Sequence, residues 1–330
     1  MKNRLRPKRW SARLLLVGLG LVFIPYACSR IASPWRCVSL HARANQTPSP
    51  NVAPQRLRVF TYNIAHGRGP IDDNWKGGSA QERLTRLNQI GDLLKELNAD
   101  IVVLNEVDFD SSWSFGVNQA AHLAEHAGYP YWIEQRNLDF RVLWRTWRFG
   151  NAVLSRYPIV EAYKVSLPGE VGWETILAGK KRGVLCEVDA NGTKFRLLAA
   201  HLSHRSEPVR VASAQIILKL AEAANTPLLV AGDLNSTPPG FPHSHTDADG
   251  KNAMDVFDAS GRFARRPESA PQEPGMTYPS IDGQSVIDWI LIPESWQFRD
   301  YQVKLSELSD HRPVFAEIDI VPSSDQLQPD

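Results

Sequence analysis

The stretch from Leu228 to Pro238 places a carboxylate and an amide where they could bind a cation together. It reads LLVAGDLNSTP, so four apolar residues run directly into Gly-Asp-Leu-Asn. A short apolar run bounded by turn residues predicts a buried strand. Asp233 and Asn235 are two residues apart and face the same way in extended chain. Their oxygens suit a hard cation, or a phosphate or water bound to it. The same residue types also form ordinary turns, so this stretch alone leaves a simple strand and turn open.

Other polar residues of catalytic type lie at the ends of predicted strands, or within or beside them. These residues are Asn63, Glu106, His201, Asp288, Asp310 and His311. Ligand sites in α/β folds form where strand ends converge. A single Asp or His at a strand end is usually a cap or a turn. This many carboxylates, amides and imidazoles together favour one shared site.

Buried strands and amphipathic helices must position these residues. The predicted strands are Leu57–Tyr62, Ile101–Leu104, Asn151–Ser155, Gly183–Val188, Lys194–Ala200, Leu228–Ala231, Val286–Ile292 and Val314–Ile320. The predicted helices are Gln81–Leu97, Val117–Ala127 and a helix capped by Ser206 that runs through Ala224. Leucines at helical spacing support the first helix, and an Asn-Gly pair predicts a hairpin turn at position 191. Residues 237–256 are expected to form a long polar loop. This mixture of strands and helices is typical of an α/β protein.

Size, charge and cysteine content exclude several classes of protein. The chain has 330 residues, 43% of them hydrophobic, which is enough for one large domain or two smaller ones. The formal net charge of +1 gives no overall basic field, so nucleic-acid binding would depend on a local patch. Three cysteines are too few for a disulfide framework or a cysteine-based zinc site.

The N-terminus resembles an export signal. Several basic residues precede the apolar run Leu14–Cys28, which contains Pro25 and is short for a membrane span of ~20 residues. We expect an exported, extracytoplasmic protein that is either secreted after cleavage or membrane-anchored. Residues 1–30 are predicted to be the signal peptide or signal-anchor, 31–55 a linker, 56–321 the globular domain and 322–330 a loose tail.

Two further stretches allow a functional or a purely structural interpretation. Residues 136–148 interleave arginine with tryptophan. They could contact a phosphate backbone or lipid headgroups, or form an irregular segment with tryptophan in the core and arginine at the surface. His243, His245, Asp247 and Asp249 could bind a second metal, or lie in a solvated loop on the substrate side.

Seven segments occur in an order that carries a family resemblance. They are TYNIAHGRG, VVLNEVD, GNAVLSRYP, AAHLSH, VAGDLNSTP, VIDWILI and SDHRPV. Together they resemble the endonuclease/exonuclease/phosphatase superfamily, which has the DNase I-like fold. The resemblance implies a four-layer α/β sandwich in which two packed mixed β-sheets are flanked by helices. It also implies cleavage of phosphate esters that depends on Mg²⁺, with Mn²⁺ as an alternative.

The same resemblance implies a role for each candidate residue. It implies Asn63, Glu106 and Asp310 as metal ligands. It implies Asp233 and Asn235 as the residues that bind or activate the attacking water and hold the scissile phosphate, and His201 as a phosphate contact. His311 is implied as a second histidine with Asp288 as its carboxylate partner, and Asn151 as a residue near the rim. Either Asp233 or His311 could be the general base.

Two positions depart from the family pattern. Asn105 stands before the catalytic-type glutamate, where glutamine is commoner in the family. Ala65 stands where some DNA-repair members carry an acidic residue, which argues against repair of abasic sites.

Three functions remain open from the sequence. The first is an exported phosphodiesterase acting on nucleic acid, and the second is the same chemistry on a phospholipid or another small phosphoester. The third is a non-catalytic protein that binds phosphate ligands, which the complete set of site residues argues against. A membrane could be a partner through the N-terminal segment, and no obligate protein partner is expected.

Overall fold

The structure is a computed structural model that describes residues 9–43, 54–169 and 181–320. Within these ranges the helices are α1 (Arg9–Ala32), α2 (Ala80–Glu96), α3 (Gln119–Ala127), α4 (Glu207–Glu222) and α5 (Ala253–Ala259). The strands are β1 (Val38–Ala42), β2 (Arg56–Asn63), β3 (Ile101–Asp108), β4 (Tyr131–Val142), β5 (Arg145–Ser155), β6 (Ile159–Ser166), β7 (Arg182–Ala190), β8 (Thr193–His201), β9 (Leu228–Asp233), β10 (Phe263–Arg265), β11 (Asp288–Pro293), β12 (Gln297–Val303) and β13 (Val314–Asp319).

The strands form two mixed sheets. One has seven strands in the order β1-β4-β5-β3-β2-β13-β12, and the other has six in the order β10-β11-β9-β8-β7-β6. The pairs β2–β3 and β8–β9 are parallel, and the other pairs within the sheets are antiparallel. Each parallel pair brings two strand carboxyl ends to one edge of its sheet, and these ends carry most of the candidate residues.

Alternating side chains along the strands divide the core into three layers. Val59 and Val103 face the second sheet and pack with its Ala231. Their neighbour Phe60 faces the other way and packs under α2 and α3. On the far side of the second sheet, Leu198 packs with residues of α4 and α5. This arrangement of helix, sheet, sheet and helix confirms the predicted four-layer α/β sandwich.

Local signals set the helix ends close to the predicted positions. The Ser79 side chain accepts from the backbone of Glu82, whose carboxylate in turn accepts from the Ser79 backbone, so a capping box begins α2. The Asn118 side chain caps α3, which ends at Gly128 with φ of 79°.

Three predictions about segments need correction. The predicted linker over residues 31–55 contains β1, which pairs with β4, because Val38–Ala42 completes an edge of the seven-stranded sheet. Residues 44–53 of that linker, and the predicted tail, lie outside the described residues. Residues 136–148 do not form an irregular segment, because they lie in the paired strands and turn of the β4–β5 hairpin. The predicted loop over 237–256 ends inside α5, which Asn252 caps through its side chain.

Helix α1 differs from the other helices in exposing its apolar side chains. Its segment Ala12–Ala32 has a mean hydropathy of 1.9 and none of it is buried. By length and composition this helix could cross a membrane, although a signal sequence would look the same.

Candidate active site

Glu106 lies at a β-bulge within β3. The register of β3 against β5 shifts between Leu104 and Val107, and Glu106 itself has φ of 52°. A bulge redirects a side chain that regular alternation would place elsewhere. The Glu106 side chain is 28% exposed, so its carboxylate opens towards solvent at the carboxyl end of the strand.

Positive groups surround the Glu106 carboxylate. His66 Nε2 lies 3.4 Å from Glu106 Oε2, and Arg68 Nη1 lies 3.3 Å from the same oxygen. Arg68 also donates through Nη2 to Asp310 Oδ2. Burial raises the pKa of Glu106, but the positive charges of His66 and Arg68 outweigh burial and lower it well below the usual range. The carboxylate is therefore ionised throughout the neutral range.

Asn63 connects the two sheets at the site. Its Nδ2 donates to Asp233 Oδ2 at 3.1 Å, and its Oδ1 accepts from the Ala65 amide at 3.1 Å. Its backbone carbonyl accepts from Ser309 Oγ at 2.7 Å. The side chain therefore links β2 to β9, and its amide oxygen retains a second lone pair for a ligand.

Asp233 faces both histidines of the site. Its Oδ2 lies 3.5 Å from His201 Nε2 and 3.8 Å from His311 Nε2, and its Oδ1 accepts from the Asn235 amide at 3.0 Å. Burial raises the pKa of Asp233, and the opposing charge of His311 offsets this only in part. Asp233 therefore accepts a proton more readily than an ordinary aspartate.

Asp288 orients His311. His311 Nδ1 lies 2.9 Å from Asp288 Oδ2, so Nε2 is the nitrogen that faces Asp233. The β9–β11 register places Asp288 directly opposite Asp233. Burial lowers the pKa of His311, but the two aspartates outweigh burial and raise it well above its usual range. The imidazole is therefore held in its protonated form.

His201 and Asn235 complete this side of the site. Burial, assisted by the positive charge of Lys181, lowers the pKa of His201 well below its usual range, so its imidazole is neutral. Asn235 Nδ2 donates to the Leu202 carbonyl at 3.3 Å, which ties the loop after β9 to the end of β8.

The eight predicted site residues come together at one end of the two sheets, in two groups. Asn63, His201, Asp233, Asn235, Asp288 and His311 form one connected group. Glu106 and Asp310 form the other, joined through Arg68. The structure thus places the residues, while their individual roles stay predictions.

The donor chemistry of the Glu106–Asp310 group fits a divalent cation. Glu106 and Asp310 both contact the Arg68 guanidinium, through Nη1 and Nη2, so the two carboxylates lie around one positive charge. Carboxylate oxygens are ligands that suit Mg²⁺ or Mn²⁺.

The other group also contains a cluster of possible ligand atoms, which is less open to solvent. Asp233, Asp288 and His311 offer atoms within 4.8 Å of one another. Asp288 is fully buried and engaged with His311, whereas Glu106 opens to solvent. Asp288 Oδ1 is buried and makes no hydrogen bond to the described residues. Which of the two groups holds the metal stays a prediction, and the sequence resemblance favours the Glu106 side of the site.

The sequence identified Asn105 only as a departure from the family pattern, but the structure gives it a central position. Its Oδ1 accepts from the Asp233 amide at 2.8 Å. Its Nδ2 donates to Asn151 Oδ1 at 2.8 Å and to the Ala200 carbonyl at 3.1 Å. One amide therefore joins β3 and β5 of the first sheet to β8 and β9 of the second. Its position beside Glu106 in the strand was the available signal.

His66 and Asp108 form a second histidine–aspartate pair, which the sequence analysis also missed. His66 Nδ1 lies 2.8 Å from Asp108 Oδ1, and Trp113 Nε1 donates to Asp108 Oδ2 at 2.7 Å. The other ring nitrogen of His66 faces Glu106, so this pair lies directly behind the proposed metal ligand. Both residues lie inside matching motif segments, but neither spacing nor type indicated their contact.

Two weaker predictions gain a structural context. Asn151 is fully buried and donates to Gln135 Oε1 at 2.6 Å, so it lies in the network behind the site and the predicted rim position is wrong. In the polar loop, Asp247 Oδ1 accepts from the amides of Asp249 and Lys251, which forms a turn. Among the residues that the structure describes, the His243–Asp249 stretch forms no group that could hold a metal.

This fold and this site define a phosphoester hydrolase of the DNase I-like class. Residues 60–311 match the model of the endonuclease/exonuclease/phosphatase family, and the chain belongs to that family.

Solved structures show the same fold. An endonuclease/exonuclease/phosphatase from Beutenbergia cavernae is 21% identical with a TM-score of 0.61, covering 81% of this chain and 72% of its own. The mannosyl-6-phosphatase Bt3783 from Bacteroides thetaiotaomicron is 19% identical with a TM-score of 0.58. The match covers 79% of this chain and 99% of the phosphatase chain. D. rerio TDP2, complexed with a single-strand DNA product, is 14% identical with a TM-score of 0.58. The match covers 81% of this chain and 100% of the TDP2 chain. No curated protein matches the chain.

Proposed function

We propose that this protein is an exported, metal-dependent phosphoesterase that hydrolyses phosphodiester bonds. The observation that carries the proposal is the Asp233 carboxylate, which faces two imidazoles beside the Glu106–Asp310 pair. A carboxylate, two imidazoles and a pair of further carboxylates that could bind a cation are groups that can carry out metal-assisted phosphoester hydrolysis.

Each group has a proposed task. Mg²⁺ or Mn²⁺ held by Glu106, Asp310 and Asn63 would supply positive charge against the charge that develops on the phosphate. Asp233 is the proposed acceptor of the proton from the attacking water, because it lies between the two imidazoles and burial raises its pKa.

The two histidines and Asn235 would act on the phosphate. His201, neutral in its buried setting, would donate to a non-bridging oxygen. Protonated His311, fixed by Asp288, would stabilise the negative charge of the phosphate and of Asp233. Asn235 would position the phosphate from the loop after β9.

Nucleic acid is the first substrate class that we propose, and D. rerio TDP2 supports it as a relative in fold that was solved with a DNA product. A phospholipid or another small phosphoester is the second, because α1 is apolar enough to hold the domain at a membrane. The mannosyl-6-phosphatase from B. thetaiotaomicron is a fold relative that acts on a small phosphoester.

The test is hydrolysis by the full chain of single-stranded DNA, plasmid DNA, RNA, sphingomyelin, phosphoinositides and a chromogenic phosphodiester. Each substrate is run with Mg²⁺, Mn²⁺, Ca²⁺ or EDTA. We expect EDTA-sensitive cleavage that Glu106→Gln abolishes and that Glu294→Gln, a change at an exposed glutamate, leaves intact.

The substrate profile decides between the classes. Cleavage of DNA or RNA alone supports a nuclease, and cleavage of lipid alone supports a membrane phosphodiesterase. No cleavage of any substrate, with phosphate ligands still bound, would overturn the enzymatic proposal in favour of a binding protein. Cleavage that persists in EDTA would overturn the metal dependence.

A further inference from the structure

The β4–β5 hairpin packs along the last turns of α1. The Arg136 guanidinium donates to the carbonyl of Arg36 at 2.7 Å, four residues after α1 ends. Further along β4, the Arg141 amide donates to Ser29 Oγ at 3.0 Å, and the rings of Phe140 and Tyr26 lie 5.6 Å apart. The strand therefore runs antiparallel to the helix, and the hairpin tip points back along α1 towards its N-terminal half.

Helix α1 needs an apolar environment that the described protein does not provide. Leu14, Phe23 and Ile24 are 68%, 64% and 65% exposed. Such a row of large apolar groups on a helix long enough to span a bilayer suits hydrocarbon rather than water. The basic residues that precede the helix favour a cytoplasmic N-terminus, which places the folded domain on the opposite side.

The hairpin tip has the composition of a membrane interface. Leu143 and Trp144 are 42% and 74% exposed, and the exposed Arg141 and Arg145 flank them. Trp35, just after α1, is 78% exposed. Tryptophan is enriched at the level of lipid headgroups, and arginine is attracted to anionic lipids.

The hairpin also projects from the end of the domain that carries the active site. Phe149 of β5 pairs with Asp108 at the carboxyl end of β3, so the tip lies beyond that end. At its base, Phe149 stacks on Trp113 at 5.7 Å, and Trp113 holds the aspartate behind Glu106. A bilayer that contacts the tip would therefore lie at the same end as the site.

We propose that the β4–β5 tip (Arg141–Arg145) is a second membrane contact, which seats the domain on an anionic bilayer surface while α1 is retained as an anchor. The apolar side chains of the tip enter the interface, and its arginines meet the lipid headgroups. This places the opening of the site towards the headgroup layer. The docking surface stands independently of the proposed function, and only the access of membrane phosphoesters rests on it.

Hydrogen exchange of the full chain in liposomes tests the contact without reference to activity. The chain is reconstituted in phosphatidylcholine alone or mixed with phosphatidylglycerol, and exchange is measured at the amides of the turn residues 143 and 144. We expect slow exchange at the tip in the mixed liposomes and faster exchange in phosphatidylcholine alone. Because each arginine contributes a factor of about five near an anionic surface, Arg141→Gln with Arg145→Gln should remove most of this lipid dependence.

Matched variants separate membrane contact from folding. Leu143→Asp with Trp144→Asp should restore fast exchange at the tip in mixed liposomes. Val160→Asp, at an exposed apolar position on β6 that lies towards the opposite end of the domain, should not. The β7–β8 turn at Asn191–Gly192 is the internal reference for a surface that contacts no lipid.

Three results would overturn the proposal. The first is tip exchange as fast in wild-type liposomes as in the Asp variant. The second is exchange that does not differ between the two lipid compositions. The third is an intact mass, measured on protein extracted from membranes, which shows that the chain begins after residue 32. Failure of hydrolysis would count against the proposed function and would leave the membrane contact unaffected.

Discussion

Replacing Asn105 with alanine tests whether one buried amide holds the two sheets together at the site. Asn105 is fully buried and makes three hydrogen bonds, to the Asp233 amide, to Asn151 Oδ1 and to the Ala200 carbonyl. Alanine removes all three and leaves buried polar groups without partners. The backbone of Asp233 also loses the contact that fixes its position.

The expected loss of stability follows from these bonds. Three hydrogen bonds with a net value of ~1 kcal/mol each give ~3 kcal/mol, and one partner group that stays buried without a new hydrogen bond adds about 1–2 kcal/mol to that total. We expect the free energy of unfolding to fall by ~3–5 kcal/mol. For a domain of this size that corresponds to a fall in Tm of roughly 8–15 °C.

Urea unfolding followed by circular dichroism measures this change, and metal-dependent hydrolysis measures its effect on the site. Because a displacement of ~1 Å can cost about a hundredfold in rate, kcat should fall by a similar factor even where the variant is folded. Gln297→Ala removes an amide at an exposed position and should change stability by less than ~0.5 kcal/mol.

A double-mutant cycle sharpens the interpretation. Asn151→Ala removes the partner of one Asn105 bond, so the two substitutions together should cost less than the sum of the single losses. Strict additivity, or a loss below ~1 kcal/mol for Asn105→Ala, would refute the view that this amide joins the sheets. Unchanged kcat in the destabilised variant would refute its role in positioning Asp233.

Three further changes test neighbouring parts of the site. Asp288→Asn should lower kcat by roughly 10²- to 10⁴-fold with little change in KM, because His311 loses its orienting carboxylate. Steady-state kinetics that show an effect on KM alone would contradict this role. Gly232→Ala should prevent folding or lower the yield of folded protein severely, since φ is 141° and a Cβ would lie 1.9 Å from the Ala200 carbonyl oxygen; a wild-type melting curve would be the contrary result. His66→Gln should raise the metal concentration for half-maximal activity by roughly 10- to 100-fold, because the histidine supports the proposed glutamate ligand; an unchanged metal titration would remove that role.

The sequence predicted most of the central strands well, but it missed the inner strand β4 and several peripheral strands. β3 and β9 are buried along most of their length, and their continuous apolar runs are readily recognised. β6 and β12 are half-exposed, with polar and apolar residues mixed, and were missed. β1 was predicted as part of a linker because its five residues are only partly buried and its strand pairing depends on β4, far along the chain.

The residue types of the site were predictable, but their contacts were not. Polar residues at strand ends and ordered motifs identified Glu106, Asp233 and His311. No local pattern indicates that Asn105 bonds to the backbone of a strand in the other sheet, because that contact spans 128 positions of the sequence. The contact between His66 and Asp108 spans 42 positions and depends on how the loop after β2 turns.

The site contains backbone segments in strained conformations, which need buried hydrogen bonds to hold them in place. Positive φ angles occur at Ala65, His66, Glu106 and Asn235, with values of 47°, 55°, 52° and 51°. Each such angle costs on the order of 1–3 kcal/mol and persists only when surrounding contacts fix it. The carbonyl of His66, for example, accepts from Arg83 Nη1 at 3.0 Å and from Gln119 Nε2 at 2.9 Å.

These contacts come from helices as well as from sheets. Arg83 lies on α2 and Gln119 on α3, so the outer layer of the sandwich fixes the loop that carries His66. Asn105 and Asn63 fix the inner layers from the other side. The strained loops are therefore held by contacts that exist before any substrate binds, and this predicts a site whose geometry changes little on binding. A substitution in α2 or α3 that removes one of these donors should impair hydrolysis without touching the substrate.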